Sequence, residues 1–250
     1  MTTEPQRRVL ITGVLGGIGQ ATASAFHADG WWVIGTDRAE PPSDVKVDQF
    51  ISVDLKEPGA VAELIGQLPG DRLDGLVNNA AFQPNLSVGE TSDEVWDEVM
   101  TTNLRAPFQL IRDLAPRLAR VKGGIVNVSS VHAIVTSANV AAYAVSKGAL
   151  VALTRSTAID MASSGVRCNA VLPGAVQTPM LMDGLSRRPH ERGPQGNLED
   201  LEARTPLGFV ARPEAVAPTI LHLVDRNRSP YTTGQTIILD GGASIRLSTE

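Results

Sequence analysis

Tyr143 and Lys147 stand four residues apart in this 250-residue chain, a spacing that puts both side chains on one face of a helix. A phenol with an ordinary pKa near 10 is a poor base at neutral pH, but an adjacent ammonium favours the phenolate and makes a poised acid/base group. Upstream, Ser129 and Ser130 follow the apolar run Ile125-Val126-Asn127-Val128. A hydroxyl at such a strand end can hold a carbonyl or alcohol oxygen. Taken alone, a Tyr and a Lys at this spacing also occur as a packing pair.

A second constellation lies near the N-terminus, where a short β-branched run leads into Thr12-Gly13-Val14-Leu15-Gly16-Gly17-Ile18-Gly19 and then an alanine-rich helical stretch. Glycines there let the chain turn sharply, let a pyrophosphate approach the backbone, and let the helix pack close to the sheet. The first N–H groups of the helix and its dipole favour an anion. Asp37 ends the next strand about 20 residues further on, where a carboxylate accepts hydrogen bonds from both adenosine ribose hydroxyls and repels a 2'-phosphate. NAD is therefore expected over NADP. Arg38 keeps stacking on adenine or pairing with a 2'-phosphate open, and a strand-end cap for Asp37 and a solvated charge for Arg38 are the bland alternatives. A bound nicotinamide, cationic when oxidised, would favour the Tyr143 phenolate as well.

These residues need a scaffold, and the alternation of the chain supplies one. Strands are expected at Arg8 to Ile11, Trp32 to Gly35, Gln49 to Val53, Leu73 to Val77, Gly124 to Val128, Arg167 to Val171 and Thr236 to Leu239. Helical patterns near 17–29, 57–67, 92–119, 143–163 and 213–225 fall between them. The rhythm predicts a three-layer doubly wound α/β fold of the Rossmann kind, a seven-stranded parallel sheet with helices on both faces. No linker or repeat divides it, so residues 1–250 read as a single domain. The stretch 173–212 shows no strand and little apolar periodicity, and is expected to be a substrate loop or lid.

Bulk composition closes other doors. The single cysteine, Cys168, excludes a disulfide framework, and four scattered histidines offer no helical ligand pair, so no metal site is expected. A net charge of −5 without a basic stripe argues against nucleic acid. No apolar run reaches the roughly 18 residues of a membrane span, and the polar start shows no signal-peptide core. The cytoplasm is the default compartment.

The ordered series of motifs resembles the short-chain dehydrogenase/reductase family in its roughly 250-residue branch. The resemblance runs from Thr12-Gly13-x-x-x-Gly17-Ile18-Gly19, with Leu15 inside that turn at the cofactor, through Asp54-Leu55, Asn78-Asn79-Ala80-Ala81, Asn103, Ser130, Tyr143-x-x-x-Lys147 and Pro173-Gly174 to Thr178, with Asp240-Gly241-Gly242 near the end. It implies that Tyr143 is the general acid/base and that Ser130 orients the substrate. Lys147 would lower the tyrosine pKa and bind the nicotinamide ribose, and Asn103 would hold a water of a proton relay. It also implies Asp54 and Leu55 at the adenine edge, Asn79 and Ala80 at the cofactor ribose, and Val176 with Thr178 at the carboxamide. Pro107 bears on Asn103 independently: lacking an N–H it cannot bond the Asn103 carbonyl, which is freed for a water, although a simple helix kink is compatible with the same residue. Two departures are mild, Gly16 for a polar residue and Ala133 for glycine. The first removes a hydroxyl from the phosphate site.

Substrate recognition is the least legible part. Gln83 and His132 occupy positions that line the pocket in similar hydroxy-acid and sugar-acid dehydrogenases, while a surface or core histidine is the plainer reading of His132. Arg187, Arg188, His190 and Arg192 would attract an anion or form a solvated cluster. Trp31 and Trp32 are expected to pack against the sheet. The small and apolar run Val145 to Leu153 needs cover beyond the sheet, which predicts a homo-oligomer, a dimer or tetramer. The function expected is interconversion of a secondary alcohol and a ketone by a small-molecule dehydrogenase. A non-catalytic scaffold of the same fold is disfavoured because Asn103, Ser130, Tyr143 and Lys147 are all present.

Overall fold

The computed structural model describes residues 6–246. Seven strands, β1 (Arg8–Thr12), β2 (Trp32–Asp37), β3 (Gln49–Ser52), β4 (Gly75–Asn78), β5 (Gly124–Val128), β6 (Arg167–Pro173) and β7 (Thr236–Leu239), form one sheet in the order β3-β2-β1-β4-β5-β6-β7. Every pairing is parallel, so the expected seven-stranded doubly wound sheet is present. Strand order reverses between β1 and β4, and the crevice outside the carboxyl ends of these strands is where ligands of such sheets bind.

Helices α1 (Gly17–Ala28) and α8 (Ala217–Val224) cover one face. Helices α2 (Ala60–Gln67), α4 (Ala106–Ala119) and α5 (Ala141–Asp160) cover the other, with α3 (Asp93–Met100) leading into α4. Leu10, Ile34, Leu76 and Ile125 project from the strands toward α2 and α4, while Val9, Ile11, Val33 and Val126 face α1 and α8. The alternation follows from the two-residue period of a strand buried on both sides. Each such aliphatic side chain contributes about 1.5–3 kcal/mol of burial.

Four local expectations are corrected. The fourth strand begins at Gly75, where a Cβ would stand 2.5 Å from Val224 Cγ1; α8 crosses too close for a larger residue. The sixth strand runs on to Pro173, which pairs with Leu239. The helix expected over 92–119 is interrupted by a π-helical turn over Thr101–Arg105, in which the Ala106 N–H bonds the Thr101 carbonyl five residues back. Pro107 follows this turn and offers no N–H four residues beyond Asn103. Finally, the 173–212 stretch is not structureless: it folds as α6 (Pro179–Ser186) and α7 (Gly193–Arg204). Its base is closed by a bridge between Val176 and Ala211. The segment escaped periodicity because its helices bury only Leu185 and Gly196, too few positions to write a repeat. Trp31 packs edge-on to Phe26 as expected, whereas Trp32 lies more than one-third exposed.

Candidate active site

The segments singled out in the sequence lie at the carboxyl ends of the strands that line the central crevice. β1 opens into the glycine turn, whose Gly13 holds a left-handed φ of 63°. A Cβ there would meet Ala80 Cα at 2.6 Å, and one at Gly19 would meet the Gly13 carbonyl oxygen at 2.2 Å, so both positions require glycine for packing. Gly17 is hemmed instead by Thr178, whose Cγ2 would lie 2.8 Å from an added Cβ. Gly16 precedes α1 without a side-chain cap, leaving the N–H groups of Gly17, Ile18 and Gly19 turned toward an acceptor the cap residue does not supply. Such an uncapped glycine-rich helix start fits a pyrophosphate.

Two side chains hold the turn in shape. Asn79, after β4, donates from Nδ2 to the carbonyls of Thr12 (3.0 Å) and Gly13 (2.8 Å). Thr12 Oγ1 accepts from the N–H groups of Asn79 and Ala80, each at 3.0 Å. On the other side, Asp37 accepts from the Leu15 N–H at 3.0 Å through one carboxylate oxygen and from its neighbour Arg38 N–H at 2.8 Å through the other. The carboxylate thus sits at the rim of the turn. Asp54 follows β3, accepts from the Lys56 N–H at 3.2 Å and lies 4.0 Å from its ammonium. Leu55 is buried in the core, so only its backbone is available to a ligand.

Ser130, Tyr143 and Lys147 gather at the end of β5. Lys147 is 2 % exposed and donates from Nζ to the Val128 carbonyl at 2.8 Å; Nζ lies 5.5 Å from the Tyr143 ring centre. The Tyr143 hydroxyl hydrogen-bonds Ser130, which also accepts from the His132 N–H at 3.2 Å. Ser129 takes a different part, donating to the Lys147 carbonyl at 2.8 Å and so fastening α5 to β5. The pair of serines is thereby sorted into one that faces the tyrosine and one that secures its helix.

Electrostatics differ from the sequence expectation in one respect. Burial pushes the Tyr143 phenol up to about 12, opposed by the hydrogen bond to Ser130, and burial pushes the Lys147 ammonium down to about 7. In the chain alone, desolvation of the tyrosine outweighs any lowering by Lys147, because a site this enclosed disfavours both charged forms.

Asn103 lies in the π-helical turn and is 1 % exposed. Its side chain is fully engaged: Oδ1 accepts from the Phe82 N–H at 2.8 Å, and Nδ2 donates to the Phe82 carbonyl at 2.9 Å and to Ser146 Oγ at 3.0 Å. Gln83, next to the clamped Phe82, is partly buried and makes no side-chain hydrogen bond among the described residues. His132 packs its ring edge-on to Tyr143 at 5.8 Å, with Nδ1 3.0 Å from Thr136 Oγ1. Burial, and secondarily the charge of Arg188, hold its pKa below the ordinary imidazole value. Of the other loop cations, His190 approaches Asp200 and Arg192 pairs with Glu199. Thr178 caps α6 by accepting from the Leu181 N–H, and Gly174 packs against Asp240 after β6.

The structure therefore brings Ser130, Tyr143, Lys147 and His132 to one strand end and Gly13, Leu15, Asp37, Asn79 and Ala80 to the neighbouring turn. Sequence reading missed Ser146 and Thr12 as members of these networks. Ser146 lies three residues beyond Tyr143, on the same helical face, and that spacing was the available signal.

A family model described as enoyl-(acyl carrier protein) reductase matches residues 13–244. Dehydrogenase/reductase SDR family member 6 of Xenopus laevis is 33 % identical over 243 residues, covering 95 % of this chain and 97 % of its own length. The 3-oxoacyl-[acyl-carrier-protein] reductase FabG of Thermotoga maritima is 35 % identical over 249 residues, covering 94 % and 97 %. Among solved structures, the aldohexose dehydrogenase of Thermoplasma acidophilum superposes with a TM-score of 0.91 at 29 % identity, covering 97 % of this chain and 96 % of the other. A 4-hydroxyisoleucine dehydrogenase complexed with NADH gives 0.85 at 26 % identity, covering 97 % and 100 %. The fold is the Rossmann arrangement, and the relatives it is similar to are oxidoreductases. This chain belongs to the short-chain dehydrogenase/reductase family.

Proposed function

We propose that the protein is an NAD(H)-dependent dehydrogenase that interconverts a secondary alcohol and a ketone on a small molecule. The carrying observation is the convergence of Ser130, Tyr143 and Lys147 at the carboxyl end of β5, where Lys147 Nζ is held by the Val128 carbonyl 5.5 Å from the Tyr143 ring centre. Ser130 and Tyr143 together hold the substrate oxygen. In the reductive direction Tyr143, kept protonated by burial, donates its proton to that oxygen; in the oxidative direction its phenolate takes the proton back. Lys147 and the Ser130 hydroxyl both favour the phenolate. A bound nicotinamide supplies or accepts the hydride. The Asn103 main-chain carbonyl, on a turn that Pro107 cannot cap, holds a water that continues the proton path.

The glycine turn and the uncapped start of α1 cradle the dinucleotide pyrophosphate, with Asn79, Ala80, Ala81, Pro173, Gly174, Val176 and Thr178 along the rest of the cofactor. Asp37 at the rim of the turn favours NAD over NADP, since a 2'-phosphate would meet its carboxylate. An NADH-complexed neighbour with the same fold supports the cofactor class. Gln83 and His132 face the substrate, and the helical arm α6–α7 is its lid. Exposed Phe108, Val145 and Ile159 on α4 and α5 support a homo-oligomer built on those helices. No helix among the described residues is long and apolar enough to cross a membrane, and a cytoplasmic location completes the reading.

Tyr143→Phe tests the assignment. Turnover of alcohols and ketones should fall by about 100- to 10,000-fold, the usual worth of a positioned acid/base, while NADH affinity measured by fluorescence stays within about twofold. Retained turnover would remove Tyr143 from the chemistry.

A further inference from the structure

Ser146 is wholly buried, yet neither a strand end nor the crevice explains a hydroxyl there. Its Oγ accepts from Asn103 Nδ2 at 3.0 Å and donates to the Tyr143 carbonyl at 2.7 Å. It therefore bridges two elements far apart in sequence, the π-helical turn over Thr101–Arg105 and the first turn of α5, which carries Tyr143 and Lys147.

The remaining bonds of Asn103 leave this bridge no substitute. Its Oδ1 and one amide hydrogen are taken by Phe82, and the second amide hydrogen has Ser146 as its partner. An amide with three of its bonds made has a fixed orientation, and with it the backbone of residue 103. The π-helical turn gives that backbone its offset, since the Ala106 N–H bonds Thr101 and Pro107 has no N–H to offer Asn103. Such a turn inside a helix is rare, and here the Asn103 side chain ties it to Phe82 and Ser146.

We infer that Ser146 is a positioning residue, which fixes the Asn103 turn relative to Tyr143 and Lys147 so that the Asn103 carbonyl points toward the Tyr143–Lys147 pair. The inference rests on the proposed acid/base role of Tyr143. Removing the hydroxyl leaves a buried amide hydrogen of Asn103 without its partner and takes the side-chain donor from the Tyr143 carbonyl, which keeps its helical bond. The turn then drifts, and the proton path from Tyr143 loses its next station without any group that touches substrate being changed.

The test compares Ser146→Ala and Ser146→Cys with the intact enzyme, using an alcohol that the intact enzyme oxidises. Ser146→Cys keeps the volume and a weak hydrogen-bonding sulfur, and serves should the alanine variant fail to fold. Loss of one buried hydrogen bond corresponds to roughly a tenfold effect. The alanine variant should lose about tenfold in kcat, with KM and NADH affinity within about twofold, and the ascending, acid-side limb of its pH–rate profile, where the Tyr143 phenolate forms, should move to higher pH. The cysteine variant should lie between. Combining Ser146→Ala with Asn103→Ala should cost little more than Asn103→Ala alone, because both break the same bridge. Unchanged kcat and pH profile in both Ser146 variants would overturn the inference. So would equal losses of kcat, NADH affinity and melting temperature at an unmoved pH profile, which mark a packing role. Full activity of Tyr143→Phe would instead overturn the acid/base reading on which the inference rests.

Discussion

Asn79 Nδ2 lies 2.8 Å from the carbonyl oxygen of Gly13, and this bond makes the turn after β1 a property of two strands rather than one. The same amide reaches the Thr12 carbonyl, so the side chain clamps the turn from β4 instead of projecting into the crevice. Asn79→Ala should therefore weaken cofactor binding through the turn. A loss of about 1–3 kcal/mol in stability, from the two side-chain hydrogen bonds removed from the Thr12 and Gly13 carbonyls, should accompany a several-fold rise in the NADH dissociation constant. Chemical denaturation and fluorescence titration measure the two; unchanged affinity beside the stability loss would show that the turn keeps its shape without the clamp.

Asp37 has a double part, bonding the Leu15 N–H and presenting charge at the rim. Asp37→Ser removes the charge and keeps a short acceptor. The ratio of kcat/KM with NADP to that with NAD should rise at least about tenfold, which corresponds to ~1.4 kcal/mol. Parallel assays with both cofactors decide it, and a ratio that does not move would assign Asp37 to the turn alone.

Lys147 makes stability depend on pH. Its folded pKa of about 7 lies below the unfolded value, so the unfolded chain binds the extra proton between these limits and stability rises as pH increases from about 7. Tyr143 and Cys168 act oppositely: burial raises each to about 12, so the unfolded chain releases their protons first and stability falls in the strongly alkaline range. The melting temperature should climb from pH 7 to about pH 9 and then decline. In Lys147→Met the climb should be absent, as differential scanning calorimetry across that range would show.

His132 and Arg188 are coupled electrostatically across the crevice mouth, with burial the larger influence on the imidazole. Arg188→Gln should raise the His132 pKa, followed through its ring resonances in an NMR titration. No change would mean that the arm formed by α6 and α7 stands further from His132 in solution.

Much of this molecule was legible in the one-dimensional pattern. Short apolar runs separated by helical stretches sufficed for a parallel doubly wound sheet, because a strand buried on both faces and a crossover helix each leave a local signature. Gly13, Asp37, Ser130, Tyr143 and Lys147 were legible too, since their spacing is set by a strand end or a single helical turn. Other features depend on contacts between residues distant in sequence. The part of Ser129, which fastens α5 to β5, follows from its hydroxyl meeting the Lys147 carbonyl 18 residues on. The π-helical turn at Asn103 is tied by Phe82 and Ser146, 21 and 43 residues away. Helices α6 and α7 bury too little to show a period. Above all, the protonation of Tyr143 was expected to follow its neighbour Lys147, whereas burial dominates. Desolvation is a property of everything packed around a group, so spacing along the chain determines which residues meet, and only tertiary structure decides how much water they keep.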